Sequence, residues 1–217
     1  MTRPSNQNHF HEWTETNNLK SPHSHKRISI MMWLATVFIG ISFTGCYSVK
    51  KSVDASQPNS ARIDWPEEYK PEDSRFLVHN EIEIEANPSE VWNILVQANT
   101  WENWYRGAED LQITSGDTTQ LSASSIFIWK TMGQYFESSI REFDPPLRLS
   151  WESEKKNIRG YHAWLIIPND SGCTLITSES QHGFLAGMEK IFIPNKLRKL
   201  HDEWLLAIKN KAENKNS

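Results

Sequence analysis

A chain of 217 residues holds one medium domain plus an appendage, and a formal net charge of −4 with no basic stripe excludes a nucleic-acid surface. Eight of its ten tryptophans follow residue 60, so the C-terminal part can bury a sizeable core. Two cysteines, Cys46 and Cys173, are too few for a disulfide framework, and neither stands in a Cys/His zinc pattern.

Residues 1–27 are polar and lack an apolar period, which predicts a disordered tail. Lys26-Arg27 then precede an apolar run, Ile28 to Gly45, that ends in Ser42-Phe43-Thr44-Gly45-Cys46. A basic start, an apolar middle and small residues at the end describe an export signal over residues 28–46. The Thr44-Gly45-Cys46 ending resembles a bacterial lipoprotein lipobox, which implies cleavage before Cys46 and lipidation of its thiol. An uncleaved anchor is the alternative, since eighteen residues at ~1.5 Å each just cross a hydrocarbon core of ~30 Å. Lys26-Arg27 would then stay inside. Both readings place the domain in the cell envelope, membrane-anchored on the extracytoplasmic side. Residues 47–75, with Pro58, Pro66 and Pro71, read as a tether on which Ile63 and Trp65 are the points able to dock.

From residue 76 the pattern turns regular. Phe76 to Glu85 ends in clean alternation, a strand with one wet face. Asn87-Pro88-Ser89-Glu90 is a helix start, with Asn87 as N-cap and Glu90 reaching back, and Val91, Trp92 and Leu95 facing inward. A second short helix over 100–105 carries Trp101, Trp104 and Tyr105. Six strands follow, at 111–114, 125–131, 134–143, 147–154, 161–168 and 174–180, separated by turn residues, and such short connections imply antiparallel pairing. The last segment, 184–211, is helical, with apolar residues at 185, 188, 192, 197, 200, 204 and 208; Pro194 predicts a kink or break near Ile193.

Strand, two short helices, six strands and a long helix make the α+β helix-grip arrangement: a curved antiparallel seven-stranded sheet wrapped around a long C-terminal helix. Residues 76–213 resemble the SRPBCC superfamily of START-like, polyketide-cyclase-like and birch-pollen-allergen-like proteins. The resemblance rests on Asn87-Pro88-x-x-Val91-Trp92, Trp101-x-x-Trp104, Phe127-x-Trp129-Lys130-Thr131, Asp144-Pro145-Pro146-x-x-Leu149-x-Trp151, His162-x-Trp164 and Thr177-x-Glu179-Ser180. It implies a ligand-binding cavity between the sheet and the last helix. The superfamily mixes carriers, receptors, cyclases and chaperone regulators, so it does not name a reaction.

Alternation assigns faces. Phe127 goes with Trp129, Ser138 with Ile140, Leu149 with Trp151, His162 with Trp164, and Thr177 with Glu179. The expected ligand-binding set is Trp101, Trp104, Phe127, Trp129, Ser138, Trp151, His162, Trp164, Glu179, Met188 and Phe192, suited to a flat or long apolar molecule; the alternative is a filled aromatic core. His162 and Glu179, on strands joined by a hairpin, form a satisfied polar pair, a ligand anchor or an acid–base couple. Lys130 and Arg141 fall on the solvent side, and Cys173 reads as a free thiol. His79, His182 and His201 show no metal-ligand spacing with one another, His9, His11, His23 and His25 lie in the tail, and no metal or cofactor is expected. No hydrolase, P-loop or dinucleotide motif is present.

The expected function is a membrane-tethered binding or carrier protein for a hydrophobic small molecule or lipid, with the loop Trp101–Gly107 as a lid. The alternatives are a polyketide-cyclase or dehydratase-type enzyme using His162 and Glu179, and a cavity-less envelope interaction module.

Overall fold

The computed structural model describes residues 59–214. The expected tail, the signal or anchor and Cys46 lie outside the described residues. The elements run β1 (Phe76–Ile84), α1 (Pro88–Val96), a 3-10 turn (Ala98–Asn103), β2 (Glu109–Ser115), β3 (Ile126–Thr131), β4 (Gln134–Asp144), β5 (Arg148–Lys155), β6 (Ile158–Asn169), β7 (Gly172–His182), α2 (Phe184–Phe192) and α3 (Lys196–Glu213). The sheet order is β1-β7-β6-β5-β4-β3-β2, antiparallel throughout. Strands β2 to β7 are thus a continuous meander, and β1 adds to its far edge.

Local chemistry accounts for the turns. Met132 (φ 56°) and Gly133 (φ 84°) form the two-residue connection between the paired residues Thr131 and Gln134. Two positive-φ residues match the right-handed twist of the flanking strands. Asn87 starts α1 by accepting from the Ser89 N–H at 2.9 Å, while Glu90 Oε2 accepts from the Asn87 N–H at 3.3 Å, with Pro88 at the first helical position. Register shifts interrupt the β4/β5 and β2/β3 pairs, the kind of irregularity that bends a strand and increases its twist.

The concave face carries Phe127, Trp129, Leu149, Trp151, Trp164 and Leu175 against Trp101, Trp204, Leu205 and Ile208, all buried. Trp204 stacks on Tyr105 (4.2 Å, 14°) and meets Trp101 edge-on at 4.8 Å. Residues 59–75, within the stretch expected as a tether, pack on the folded body, and Ile63 and Trp65 dock there as expected. Ile63 and Tyr69 are buried on the convex face with Tyr161, Ala163, Leu165 and Ile176. Tyr69 Oη donates to Glu152, which also pairs with Arg141, so the convex face keeps one buried carboxylate with two partners.

The last segment breaks at Ile193-Pro194-Asn195, between α2 and α3. Among the described residues, no helix is long and apolar enough to cross a membrane.

Candidate functional site

Two adjacent strands and one helix bring three side chains to a point under the roof of the sheet. His162 on β6 and Glu179 on β7 are direct cross-strand partners, with His162 Nδ1 3.3 Å from Glu179 Oε2. The third is His201, which has no motif of its own in the sequence. The buried residues of α3 are Leu197, Leu200, His201, Trp204, Leu205, Ile208 and Ala212, one stripe at helical spacing. His201 therefore enters the interior because it lies four residues after Leu197 and three before Trp204. Its Nε2 comes to 3.4 Å from the same Glu179 oxygen.

Neighbours hold this trio from outside. Thr177 Oγ1 lies 2.6 Å from His162 Nε2, and Gln181 Nε2 donates to Glu179 Oε1 at 2.8 Å. Thr177, Glu179 and Gln181 alternate along β7, so one strand face supplies the carboxylate and both supports. Gly160 stands opposite Gln181, and a Cβ there would come within 3.2 Å of Glu179 Oε1. The missing side chain leaves the carboxylate its space. His162 is stacked on Trp164 (5.3 Å, 10°), and His201 packs against it at 4.9 Å.

The electrostatics follow from burial. Burial lowers His162 to about 3 against a weaker opposing pull from Glu179, so the imidazole is neutral near pH 7. For Glu179 burial pushes upward, but His201, His162 and Gln181 together bring it below the ordinary carboxylate value. Near pH 7 the Glu179 carboxylate therefore faces a neutral His162, which neither carries an extra proton nor readily accepts one. The expected acid–base couple thus lacks a protonated partner in His162.

Beside the trio lies a cavity of about 30 Å³, walled by Trp129, Trp151, Trp204, Tyr105 and, from α2, Glu189. That holds one or two waters. A flat or long apolar ligand does not fit without movement. Burial and the nearby Glu179 raise the Glu189 carboxyl to about 7, and its Oε2 has no hydrogen-bond partner among the described residues.

Of the expected lining residues, Trp129, Trp151, His162 and Glu179 do face this cavity. Trp101, Phe127 and Trp164 are filled core behind it. Ser138 is fully buried, receives the Trp129 indole N–H at 3.0 Å and bonds Ser153 at 2.7 Å. Trp104 is half-buried and donates to Thr100. Met188 and Phe192 do not line the cavity: they are 36% and 70% exposed. The break at Pro194 rotates α2 out of phase with α3, so a single helical stripe does not run through both. Nor is Trp101–Gly107 a loose lid, because Trp101, Tyr105 and Gly107 are buried. His201, Glu189, Gln181, Leu197 and Tyr105 are lining residues absent from the set expected on sequence. Leu197 and Tyr105 stand in the apolar pattern of their predicted helices and Gln181 alternates with Glu179, whereas His201 and Glu189 carry no such signal.

The roof is α2. It follows Gly183, whose φ of 100° suits glycine and where a Cβ would meet the Asn157 carbonyl at 2.5 Å. Its amphipathicity is inverted. The buried residues are Ala186 and Glu189, whereas Phe184, Ile191 and Phe192 are each 70% exposed.

Residues 75–213 match the family model described as polyketide cyclase / dehydrase and lipid transport. The chain belongs to that family. No curated protein matches. Among solved structures, a hypothetical protein of Helicobacter pylori is similar at 28% identity and a TM-score of 0.65, over 69% of this chain and 95% of its own. A Thermus thermophilus protein is 15% identical with a TM-score of 0.54, over 65% and 99%. The Zhui aromatase/cyclase of a Streptomyces species is 12% identical with a TM-score of 0.54, over 65% and 95%. The last two share the helix-grip fold. On that family fold, the present chain builds a chamber of two histidines and two carboxylates under an inverted roof helix.

Proposed function

We propose that the domain binds a small molecule with an apolar body and a polar end, and takes it up beneath α2 at the surface of the membrane to which the chain is tethered. The tether is the lipid on Cys46 or the anchor 28–45, with the domain on the extracytoplasmic side. The observation that carries the reading is the inverted roof. A helix that turns Phe184, Ile191 and Phe192 to the outside and Glu189 to the inside is poorly matched to water on one face and to a closed core on the other. An apolar surface outside the helix suits a bilayer or a hydrophobic guest, and the polar groups beneath suit a guest's polar end. Lifting α2 exposes little buried surface, because only Ala186 and Glu189 of its nine residues are buried. Gly183 and Pro194 bracket the moving piece. The family description, which names lipid transport, supports the same class of ligand.

The test uses native and denaturing mass spectrometry on the protein purified from a bacterial host, together with tryptophan fluorescence against fatty acids, sterols and quinones. A released stoichiometric apolar compound, or saturable quenching by one class, is expected. An empty protein whose fluorescence no class alters overturns the reading and leaves a filled interaction module.

A further inference from the structure

We infer that His162, Glu179 and His201 form a binding site for a first-row divalent transition metal ion. Nδ1 of His162, Oε2 of Glu179 and Nε2 of His201 all lie within 4.8 Å of one another. The two nitrogen–oxygen separations are 3.3 and 3.4 Å. A tetrahedral ion with arms of ~2.0–2.1 Å has ligand–ligand edges of about 3.4 Å. The donors therefore already stand at bridging distance on two of three edges.

Three features set this trio apart from a polar cluster that merely satisfies itself. His201 is 1% exposed, and while its Nε2 meets Glu179 at 3.4 Å, its Nδ1 has no hydrogen-bond partner among the described residues, although buried polar groups are normally paired. The supports act on the far atoms: Thr177 on His162 Nε2 and Gln181 on Glu179 Oε1. That is the arrangement by which outer groups orient metal ligands and leave the facing lone pairs free. The charge balance also calls for a cation. The Glu179 carboxylate lines the chamber, and among the described lining residues there is neither Lys nor Arg. Buried charge of this kind is compensated by pairing or by a metal.

The donor set narrows the ion. Two imidazoles and one carboxylate suit zinc, iron or cobalt better than magnesium or calcium, which take oxygen ligands. Three protein ligands leave an open position, and the cavity beside them has room for a water, with the unpartnered Glu189 Oε2 on its wall. This deepens the reading given above, on which it rests only for the claim that the ion would receive the polar end of the bound molecule.

The experiment uses the full-length chain in detergent with His9, His11, His23 and His25 replaced by alanine, so that the tail does not bind metal. After chelator treatment it is titrated with Zn²⁺ and with Co²⁺, following bound metal per chain, the visible bands of Co²⁺, and the rise in melting temperature. One ion per chain is expected, with a visible Co²⁺ spectrum of low coordination number. His162→Asn, Glu179→Gln and His201→Asn should each weaken binding by at least ~100-fold, and Thr177→Val, which keeps all three donors, by ~10–100-fold. His182→Ala, at the end of β7, should bind as before. Near-UV dichroism checks folding, and if a ligand variant unfolds, Thr177→Val decides. Absence of saturable binding, or equal binding by the folded variants, overturns the inference. Apolar-ligand uptake is read separately, so a protein that takes up lipid without metal sinks this inference alone, and one that binds metal but no apolar ligand sinks only the carrier reading.

Discussion

The Glu179 carboxylate on β7 stands 3.4 Å from the His201 imidazole on α3, twenty-two residues further along the chain, and this contact ties the sheet to the helix that grips it. Glu179 also takes His162 and Gln181, so one side chain, 15% exposed, gathers groups from β6, β7 and α3.

The first consequence concerns the aromatic core. Trp204 is 1% exposed and touches Trp101, Tyr105, Trp129, Trp151 and Trp164. Trp204→Ala should destabilise the domain by ~3–5 kcal/mol, the range for deleting a buried aromatic. Urea unfolding followed by dichroism measures it; a loss below ~1 kcal/mol would show a loosely packed centre.

Glu189 makes stability depend on pH in a definite direction. Its folded value is raised to about 7 from the ordinary carboxylate value of 4.5. Between these values the folded state holds a proton that the unfolded state has released, so stability falls as pH rises through the window. Urea midpoints from pH 5 to pH 8 should therefore fall for the wild type relative to Glu189→Gln. Parallel profiles would show that the carboxyl is solvated.

On the outside of α2 the expectation is the reverse of a core mutation. Phe184→Ser, Ile191→Ser and Phe192→Ser remove exposed side chains, so each should change stability by no more than ~0.5 kcal/mol. Combined, they should abolish adsorption of the described domain to phospholipid vesicles, measured by flotation. Unchanged adsorption would remove the roof helix from any membrane role.

The stretch 59–75 should behave as part of the domain. A chain beginning at residue 76 loses Ile63 and Tyr69 from the convex face, each worth ~1.5–3 kcal/mol of burial. It should unfold at lower urea than a chain beginning at residue 59, and identical midpoints would return the stretch to the tether.

Cys173 should resist alkylation. It is buried on β7, and burial with Glu83 nearby pushes its thiol up to about 11. Reaction with iodoacetamide at pH 8 should occur only on unfolding; prompt labelling of the native protein would mean that the β1–β7 edge opens.

The elements and their order are legible in the residues alone. Asn87-Pro88-Ser89-Glu90 carries its own capping chemistry and Pro194 its own helix break, because each acts through bonds and torsions within a few residues. Alternation also places His162 and Glu179 side by side, since a hairpin fixes which residues face each other across two strands. The rotation of α2 and α3 against the sheet is different in kind. It depends on the packing of Trp204, Leu197 and Leu205 into the concave face, long-range contacts with no local signature. That packing brings His201 to Glu179, turns Glu189 inward, and leaves Met188 and Phe192 on the outside, although all four lie on one apolar-looking segment of the chain.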